Sequence, residues 1–250
     1  AWVNYVRSHD DIGWTFADED AATLGIDGYS HRRFLNDFYV GRFPGTFSRG
    51  VPFQENPKTG DARVTGTTAS LAGVEAGDPG GEDRVILAHA LALSTGGIPL
   101  LYLGDELGQL NDYSYSDDPA HAGDSRWVHR PPADPDALAA RHDPSTVAGR
   151  IHSRLTALIA ARQRTPEFAG NPLTPFHTLH PSVVGFQRIG EDCTVLVLAN
   201  VGDDAVVVDA ETLSGFAATA TDVVTDAAVD LSDGLELAPH GFRWLRVQPA

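Results

Sequence analysis

The sequence predicts an α/β region over residues 1–167, followed by an all-β sandwich over residues 168–250. Two segments of the first region, residues 2–6 and 98–103, have the β-branched, aromatic and aliphatic composition of strands, and a helical pattern precedes the second one. Each of these strands ends abruptly in ionisable residues. After Phe168, short alternating strands separated by turn residues replace this pattern, which is typical of an antiparallel sandwich.

The first strand runs directly into three ionisable side chains, His9, Asp10 and Asp11. Polar residues at the carboxyl ends of strands lie in loops over the sheet, where barrels and open α/β folds place their active sites. For this segment alone, a capped turn or an ion pair with Arg7 is the simpler explanation. A functional interpretation therefore needs a second landmark farther along the chain.

Residues 12–77 form a long insertion before that landmark. The acidic segment that begins at Asp18 predicts a short helix, and residues 31–39 predict another. The insertion also contains a cluster of aromatic and arginine side chains: Arg42, Phe43, Phe47, Arg49, Phe53 and Arg63. Long insertions inside compact domains are uncommon and usually functional. We therefore expect an inserted subdomain that covers a site.

The second landmark follows a helix predicted over residues 82–95, which two glycines end. The near-continuous apolar run over residues 98–103 predicts a strand that is buried on both faces. This strand also ends in carboxylates, Asp105 and Glu106. A polar, proline-rich loop and a long helix over about residues 143–164 complete the α/β region.

The C-terminal domain is predicted from a succession of short strands, over residues 183–186, 194–198, 205–208 and 241–247. Turn residues separate them, and their apolar side chains alternate or run continuously as in a packed sheet. We therefore expect residues 168–250 to form an antiparallel β-sandwich.

Composition excludes several functions. The net charge of −16 disfavours nucleic acid as a partner, and no apolar run approaches the roughly 20 residues that a membrane helix needs. The spacing of His, Cys, Asp and Glu matches no common metal motif, and no phosphate-binding glycine loop is present. We expect neither a metal nor a cofactor. The lone Cys193 cannot form an internal disulfide, so nothing indicates an oxidising compartment.

The beginning of the chain predicts that it is the C-terminal part of a longer protein. The sequence contains no Met and opens directly on a strand with the composition of a core element. An upstream domain or a signal peptide is compatible with this start. Location in the cytoplasm or outside the cell therefore stays open, with the cytoplasm favoured.

Two motifs resemble those of the α-amylase superfamily, glycoside hydrolase family thirteen. The segment resembling its seventh-strand motif is Tyr5-Val6-Arg7-Ser8-His9-Asp10, and the one resembling its eighth-strand motif is Gly97-Ile98-Pro99-Leu100-Leu101-Tyr102-Leu103-Gly104-Asp105-Glu106-Leu107-Gly108. Within the superfamily the chain looks like the amylosucrases. Further segments carry this resemblance: Asn4 to Phe16, Arg49-Gly50-Val51-Pro52-Phe53-Gln54, Gly60-Asp61-Ala62-Arg63-Val64 and Asp124-Ser125-Arg126-Trp127.

The resemblance implies the C-terminal part of a (β/α)8 barrel: strands seven and eight, the insertion at 12–77 after strand seven, and the terminal sandwich. Asp10 matches the family's carboxylate that stabilises the transition state, and His9 matches the histidine beside it. The family's nucleophile and acid/base residues belong to strands four and five. The resemblance therefore places both upstream of this chain.

Five further residues match positions that bind substrate in the amylosucrases. Asp11 and Arg63 match an ion pair that closes the bottom of the glucosyl pocket, and Arg126 matches an arginine that faces the glucosyl unit. Phe16 and Arg32 match positions on the fructosyl or acceptor side. For Arg32, an ordinary charge on a helix surface is an equally good explanation.

The implied activity is the cleavage of sucrose with retention, transfer of its glucosyl unit to an α-1,4-glucan, and release of fructose. A sucrose hydrolase or another glycosidase of the superfamily is the alternative. A non-catalytic fragment that binds a companion chain or a glucan is an alternative of another class. The expected partners are sucrose, an α-glucan acceptor and the N-terminal part of the same protein, and a homodimer stays open.

Overall fold

The computed structural model describes residues 2–191 and 193–249. Its α-helices are α1 (Asp18–Thr23), α2 (Gly28–Tyr39), α3 (Thr68–Ala72), α4 (Gly81–Ser94), α5 (Pro135–Ala140), α6 (Val147–Gln163) and α7 (Ala210–Leu213). Its strands are β1 (Val3–Asn4), β2 (Val51–Phe53), β3 (Arg63–Thr65), β4 (Ile98–Pro99), β5 (Leu173–Pro175), β6 (Val183–Ile189), β7 (Thr194–Asn200), β8 (Val206–Val208), β9 (Thr219–Asp222), β10 (Ala228–Asp230), β11 (Leu235–Leu237) and β12 (Phe242–Val247).

The chain divides into two compact units. The sheet unit comprises Ala1–Val6, Asp83–Leu100 and His152–Ala250, and the loop unit comprises Arg7–Glu82 and Leu101–Ile151. This division follows compactness and does not test the assignment of residues 1–167 to a barrel or of 12–77 to an inserted subdomain. Both assignments stay predictions.

In the sheet unit, β1 and β4 are parallel neighbours. Val3 pairs with Ile98 and Asn4 pairs with Pro99. The backbone N–H of Ile98 donates to the Trp2 carbonyl at 2.8 Å. Parallel neighbours need a long crossover connection, which here contains helix α4. The two predicted strand positions are therefore confirmed as adjacent parallel strands.

The prediction that residues 98–103 form a strand buried on both faces is wrong. Only Ile98–Pro99 have strand geometry. The side chain of Ile98 is 57% exposed and that of Leu100 is 43% exposed. A parallel strand is buried only where layers cover both faces of its sheet. Within the described residues, β1 and β4 form a sheet of only two strands. Trp2, which directly precedes β1, is exposed as well.

A glycine is required immediately before β4. Gly97 has a φ of +71°, and a Cβ atom there would approach the Trp2 carbonyl oxygen to 2.7 Å. Any other residue would meet both backbone strain and a collision with a neighbouring main chain. The Gly96-Gly97 pair therefore ends the helical connection and lets β4 lie beside β1.

The C-terminal strands form an antiparallel sheet, as predicted. Six strands are ordered β10-β9-β12-β7-β6-β5, and β8 pairs with β11 in a second, two-stranded sheet. One apolar cluster contains side chains of both sheets: Leu196, Leu198, Val206, Val208, Leu235, Leu237, Leu245 and Val247. The two sheets of the sandwich therefore differ strongly in size, with six strands in one and two in the other. The other face of the large sheet is also covered, because Trp244 of β12 is fully buried.

The long helix of the α/β region begins later than predicted, at Val147 rather than near residue 143. The Asp143 carboxylate accepts a hydrogen bond from the Ser145 backbone at 2.9 Å, and the Thr146 hydroxyl accepts one from the Gly149 backbone at 3.0 Å. These side chains form a turn and then cap the helix, which delays its first turn.

Among the described residues, no helix combines the length and the apolar character that crossing a bilayer requires.

Candidate functional site

The candidate site lies in the loop unit, where the chain leaves strand β1, and its foundation is the buried side chain of Arg7. The Arg7 Nε atom lies 2.8 Å from Oδ1 of Asp105, and each of these two side chains is 2% exposed. The Thr68 hydroxyl donates to the other Asp105 oxygen at 2.9 Å. The Tyr102 ring lies 4.4 Å from the Arg7 guanidinium. Arg7 therefore pairs with Asp105, and not with Asp10 or Asp11.

Asp10 lies three residues farther on and points to an arginine. Its Oδ1 atom accepts a hydrogen bond from Nη1 of Arg126 at 2.8 Å. Arg126 is held in turn by Asp124, which accepts from its Nε at 2.9 Å and from its Nη2 at 2.8 Å. The Arg126 guanidinium also lies 4.6 Å from the centre of the Phe53 ring. The bidentate contact with Asp124 and the Phe53 ring hold the Arg126 guanidinium in one orientation. Asp10 therefore pairs with a cation whose position is fixed.

The Asp10 side chain is an ionised carboxylate at neutral pH. Its hydrogen bond to Arg126 is the main reason that the pKa of Asp10 is far below its usual value. The side chain is nevertheless 51% exposed. Asp10 can therefore accept hydrogen bonds from a ligand and stabilise positive charge, but it cannot serve as a proton donor at neutral pH.

Asp11 belongs to a second ion pair, with Arg63. A backbone bridge between Ile12 and Val64, with hydrogen bonds of 2.8 and 2.9 Å, places the two residues side by side. Arg63 Nη1 lies 3.3 Å from Asp11 Oδ2, and the Asp11 side chain is only 7% exposed. Burial raises the pKa of Asp11, and the adjacent Asp10 carboxylate raises it further, against the lowering effect of Arg63.

His9 is held at the site by its main chain. The residue is exposed. Its carbonyl oxygen accepts a hydrogen bond from Nε of Arg130 at 2.8 Å and a second one from Nη2 of the same residue. The imidazole of His9 therefore stays accessible, while the main chain at this position is firmly held.

Phe16 and Arg32 form a separate pair. The Arg32 guanidinium lies 5.3 Å from the centre of the Phe16 ring, and Nη1 donates to the Phe16 carbonyl at 3.3 Å. Arg32 also forms an ion pair with Asp18 at 2.8 Å. Their predicted place on the acceptor side stays a prediction, as do the predicted roles of the other site residues.

Sequence reasoning gave no role in the site to three residues of this arrangement: Asp124, His129 and Arg130. All three belong to or flank a 3-10 helix, Ser125–His129, whose first turn the Asp124 carboxylate caps through the Arg126 backbone at 3.0 Å. The segment from Asp124 to Arg130 is rich in charged and aromatic residues, and this composition could have indicated a functional segment. Among residues 2–191 and 193–249, no group of three His, Cys, Asp or Glu side chains is placed to hold a metal ion.

Comparison with known proteins gives a sequence relative and a fold. No model of a known protein family matches the chain. The chain is similar to the glucosylglycerate phosphorylase of Escherichia coli (strain K12), with 25% identity over 251 residues. The match covers 98% of this chain and 41% of the relative. The chain thus spans about two-fifths of the length of this curated relative.

Among solved structures, AmyP in complex with maltose matches with a TM-score of 0.58 and 16% identity, over 73% of this chain and 39% of AmyP. A trehalulose synthase variant in complex with Tris matches with a TM-score of 0.50 and 17% identity, over 68% of this chain and 40% of that chain. At these identities the likeness concerns the fold alone. The chain therefore shares its fold with about two-fifths of each of these two proteins.

Proposed function

We propose that the chain is part of a retaining glucosyl-transferring enzyme of the α-amylase superfamily, which cleaves sucrose and passes the glucosyl unit to an α-1,4-glucan. The observation that carries the proposal is the half-exposed, permanently ionised Asp10, held by Arg126 beside the Asp11–Arg63 ion pair. The sequence similarity to a phosphorylase of glucosylglycerate supports a glucoside as substrate.

Asp10 stabilises the transition state of this reaction. Retaining glycosidases and transglycosidases pass through an oxocarbenium-like transition state, between a nucleophilic carboxylate and an acid/base about 5–5.5 Å apart. A third, ionised carboxylate that binds ring hydroxyls gains strength as positive charge develops on the sugar. Asp10 suits this third role because its charge is fixed and its side chain is half-exposed.

The neighbouring residues bind and limit the glucosyl unit. His9 and Arg126 offer donors to its hydroxyls, and the planar guanidinium of Arg126 suits two vicinal hydroxyls better than a lysine would. The Asp11–Arg63 pair closes the pocket behind one glucose. Phe16 and Arg32 line the acceptor side. The nucleophile and the acid/base are contributed by the N-terminal part of the same protein, upstream of this chain.

A second candidate is phosphorolysis, in which inorganic phosphate replaces the glucan as acceptor. The curated relative, a glucosylglycerate phosphorylase, favours it. Both reactions use the same donor half of the site and differ only in the molecule that attacks the glucosyl-enzyme. Hydrolysis is the third outcome, in which water attacks.

The test measures fructose, glucose and glucose 1-phosphate after incubation of the full-length protein with sucrose, with and without glucan and with and without phosphate. Fructose in clear excess over glucose, stimulated by glucan, supports the proposal. Phosphate-dependent glucose 1-phosphate supports the phosphorylase, and equal release of fructose and glucose supports the hydrolase. If no sucrose is consumed under any condition, the proposal is wrong.

Asp10→Asn is the matched variant, because it keeps the shape of the side chain and removes the charge. It is expected to lower kcat by about 100- to 1,000-fold, the usual loss when one transition-state electrostatic contact is removed. Asp226→Asn is the control, since the Asp226 side chain is 73% exposed and its ion-pair partner is Arg164 of the sheet unit. Equal activities of the two variants would contradict the role given to Asp10.

A further inference from the structure

The peptide group between His9 and Asp10 is held at both of its poles. Arg130 donates to its carbonyl oxygen, from Nε at 2.8 Å and from Nη2 as well. Its N–H, which belongs to Asp10, donates to the Ser8 hydroxyl at 3.2 Å. Because the peptide is planar, these contacts fix its plane and with it the position of the Asp10 Cα atom, from which the side chain starts.

Arg130 is itself held in place from two sides. Its guanidinium lies 5.3 Å from the centre of the Trp127 ring. Trp127 stacks on His121, with their ring centres 3.6 Å apart. The preceding residue, His129, is buried, and its carbonyl accepts from Arg7 Nη1 at 3.1 Å. The arginine therefore approaches the His9 carbonyl from a supported position.

His129 adds a second, neutral support. Its Nδ1 atom accepts a hydrogen bond from the backbone N–H of Gly66 at 3.1 Å, so the ring carries its proton on Nε2. Burial lowers the pKa of His129 to about 4, and the nearby His9 carbonyl acts in the opposite direction. The ring therefore stays neutral and ties the His129 segment to the main chain at Gly66.

We propose that Arg130 is a positioning residue, which aims the Asp10 carboxylate by holding the His9–Asp10 peptide in one orientation. The inference rests on the proposed role of Asp10 in catalysis. Arg130 acts through the main chain, whereas Arg126 contacts the carboxylate directly. Lysine would be a poorer substitute, because one ammonium does not reproduce the two donors of the guanidinium fork.

The effect should fall on the chemical step. A displacement of about 1 Å in a catalytic group can cost about 100-fold in rate. Arg130→Ala is therefore expected to lower kcat by about 10- to 100-fold while KM changes by less than about threefold. Arg130→Lys is expected to recover part of this loss. Arg141→Ala is the control, since Arg141 is a partly exposed arginine that donates to the Leu138 carbonyl at 2.6 Å, and it should retain full activity.

Two results would overturn the inference. If Arg130→Ala keeps kcat within about twofold of the wild-type value, the peptide does not need this support. If instead KM rises and kcat is unchanged, Arg130 binds substrate directly and does not position Asp10. Melting temperatures of the three variants show whether a loss of kcat accompanies a loss of folding.

A second measurement does not depend on turnover. The carbonyl ¹³C resonance of His9 reports the hydrogen bonds that this oxygen accepts. It is expected to move in Arg130→Ala and to stay in place in Arg141→Ala. Absence of any turnover in the wild-type protein would refute the proposed function, and the resonance would still decide the contact: an unmoved resonance in Arg130→Ala overturns it.

Discussion

Replacing Arg7 by Met should destabilise the protein strongly, because it leaves the Asp105 carboxylate buried without its cation. The two charged groups are 2.8 Å apart and each side chain is 2% exposed. At an effective dielectric constant of about 20, charges at this distance attract each other by about 6 kcal/mol. Desolvation of both groups offsets part of this attraction. Breaking such a buried pair on one side typically costs about 3–5 kcal/mol of unfolding free energy.

The assay is urea unfolding followed by two spectroscopic probes, with the midpoint and the slope compared between variants. With a slope of about 2–3 kcal/mol per molar urea, a loss of 3–5 kcal/mol lowers the midpoint by about 1–2.5 M. Arg42→Met is the control, since its partner Glu55 and Arg42 itself are well exposed and such pairs contribute about 0–1 kcal/mol.

The double variant Arg7→Met/Asp105→Leu separates the loss of the pair from the burial of a lone charge. It should recover most of the lost stability, because apolar residues of similar volume often replace a buried ion pair at little cost. Thr68 then loses an acceptor, so recovery is not expected to be complete. A single variant as stable as Arg42→Met would refute the reasoning that this pair is desolvated.

Three further predictions follow from other contacts. Burial lowers the pKa of His129 from 6.5 to about 4. The stability contributed by the neutral ring should therefore be fully present above pH 6.5 and be lost as the pH falls to about 4, by about 3 kcal/mol in total. Urea unfolding at several pH values should show this loss in the wild type and not in His129→Gln. Arg63→Ala removes the cation from Asp11 and should lower kcat/KM on sucrose by about tenfold in initial-rate assays. Trp244→Ala removes a fully buried ring that packs edge-on against Phe168 at 4.8 Å, and calorimetry should show a loss of about 3–5 kcal/mol.

Elements with a strong local pattern could be predicted from the sequence. Helix α4 was predicted over residues 82–95 and runs over Gly81–Ser94. Strand β7 was predicted over residues 194–198 and runs two residues farther. In both, side-chain periodicity and the flanking turn residues are enough, because the information lies within about 15 neighbouring residues. The burial of residues 98–103 could not be predicted in this way, since burial depends on the neighbours of a strand and not on its own composition.

The contacts that build the site are of the same non-local kind. Arg7 and Asp105 are separated by 98 positions, and Asp10 and Arg126 by 116 positions. No periodicity connects such residues. The Asp11–Arg63 pair was proposed from a resemblance and the structure places the two side chains 3.3 Å apart, but the resemblance carried no information on Arg130. Arg130 emerges only when the partners of the His9 main chain are followed.

The two adjacent carboxylates of the site have environments that shift their pKa values in opposite directions. The exposed Asp10 is kept ionised by Arg126, and burial raises the pKa of Asp11. Such divergence usually separates an acid from a fixed anion. Here Asp10 cannot give a proton at neutral pH, and Asp11 is 7% exposed and engaged by Arg63, so a substrate oxygen cannot reach it easily. In the proposed reaction, the proton transfers therefore require a group other than Asp10 and Asp11, and the part proposed for Asp10 is to provide charge and orientation.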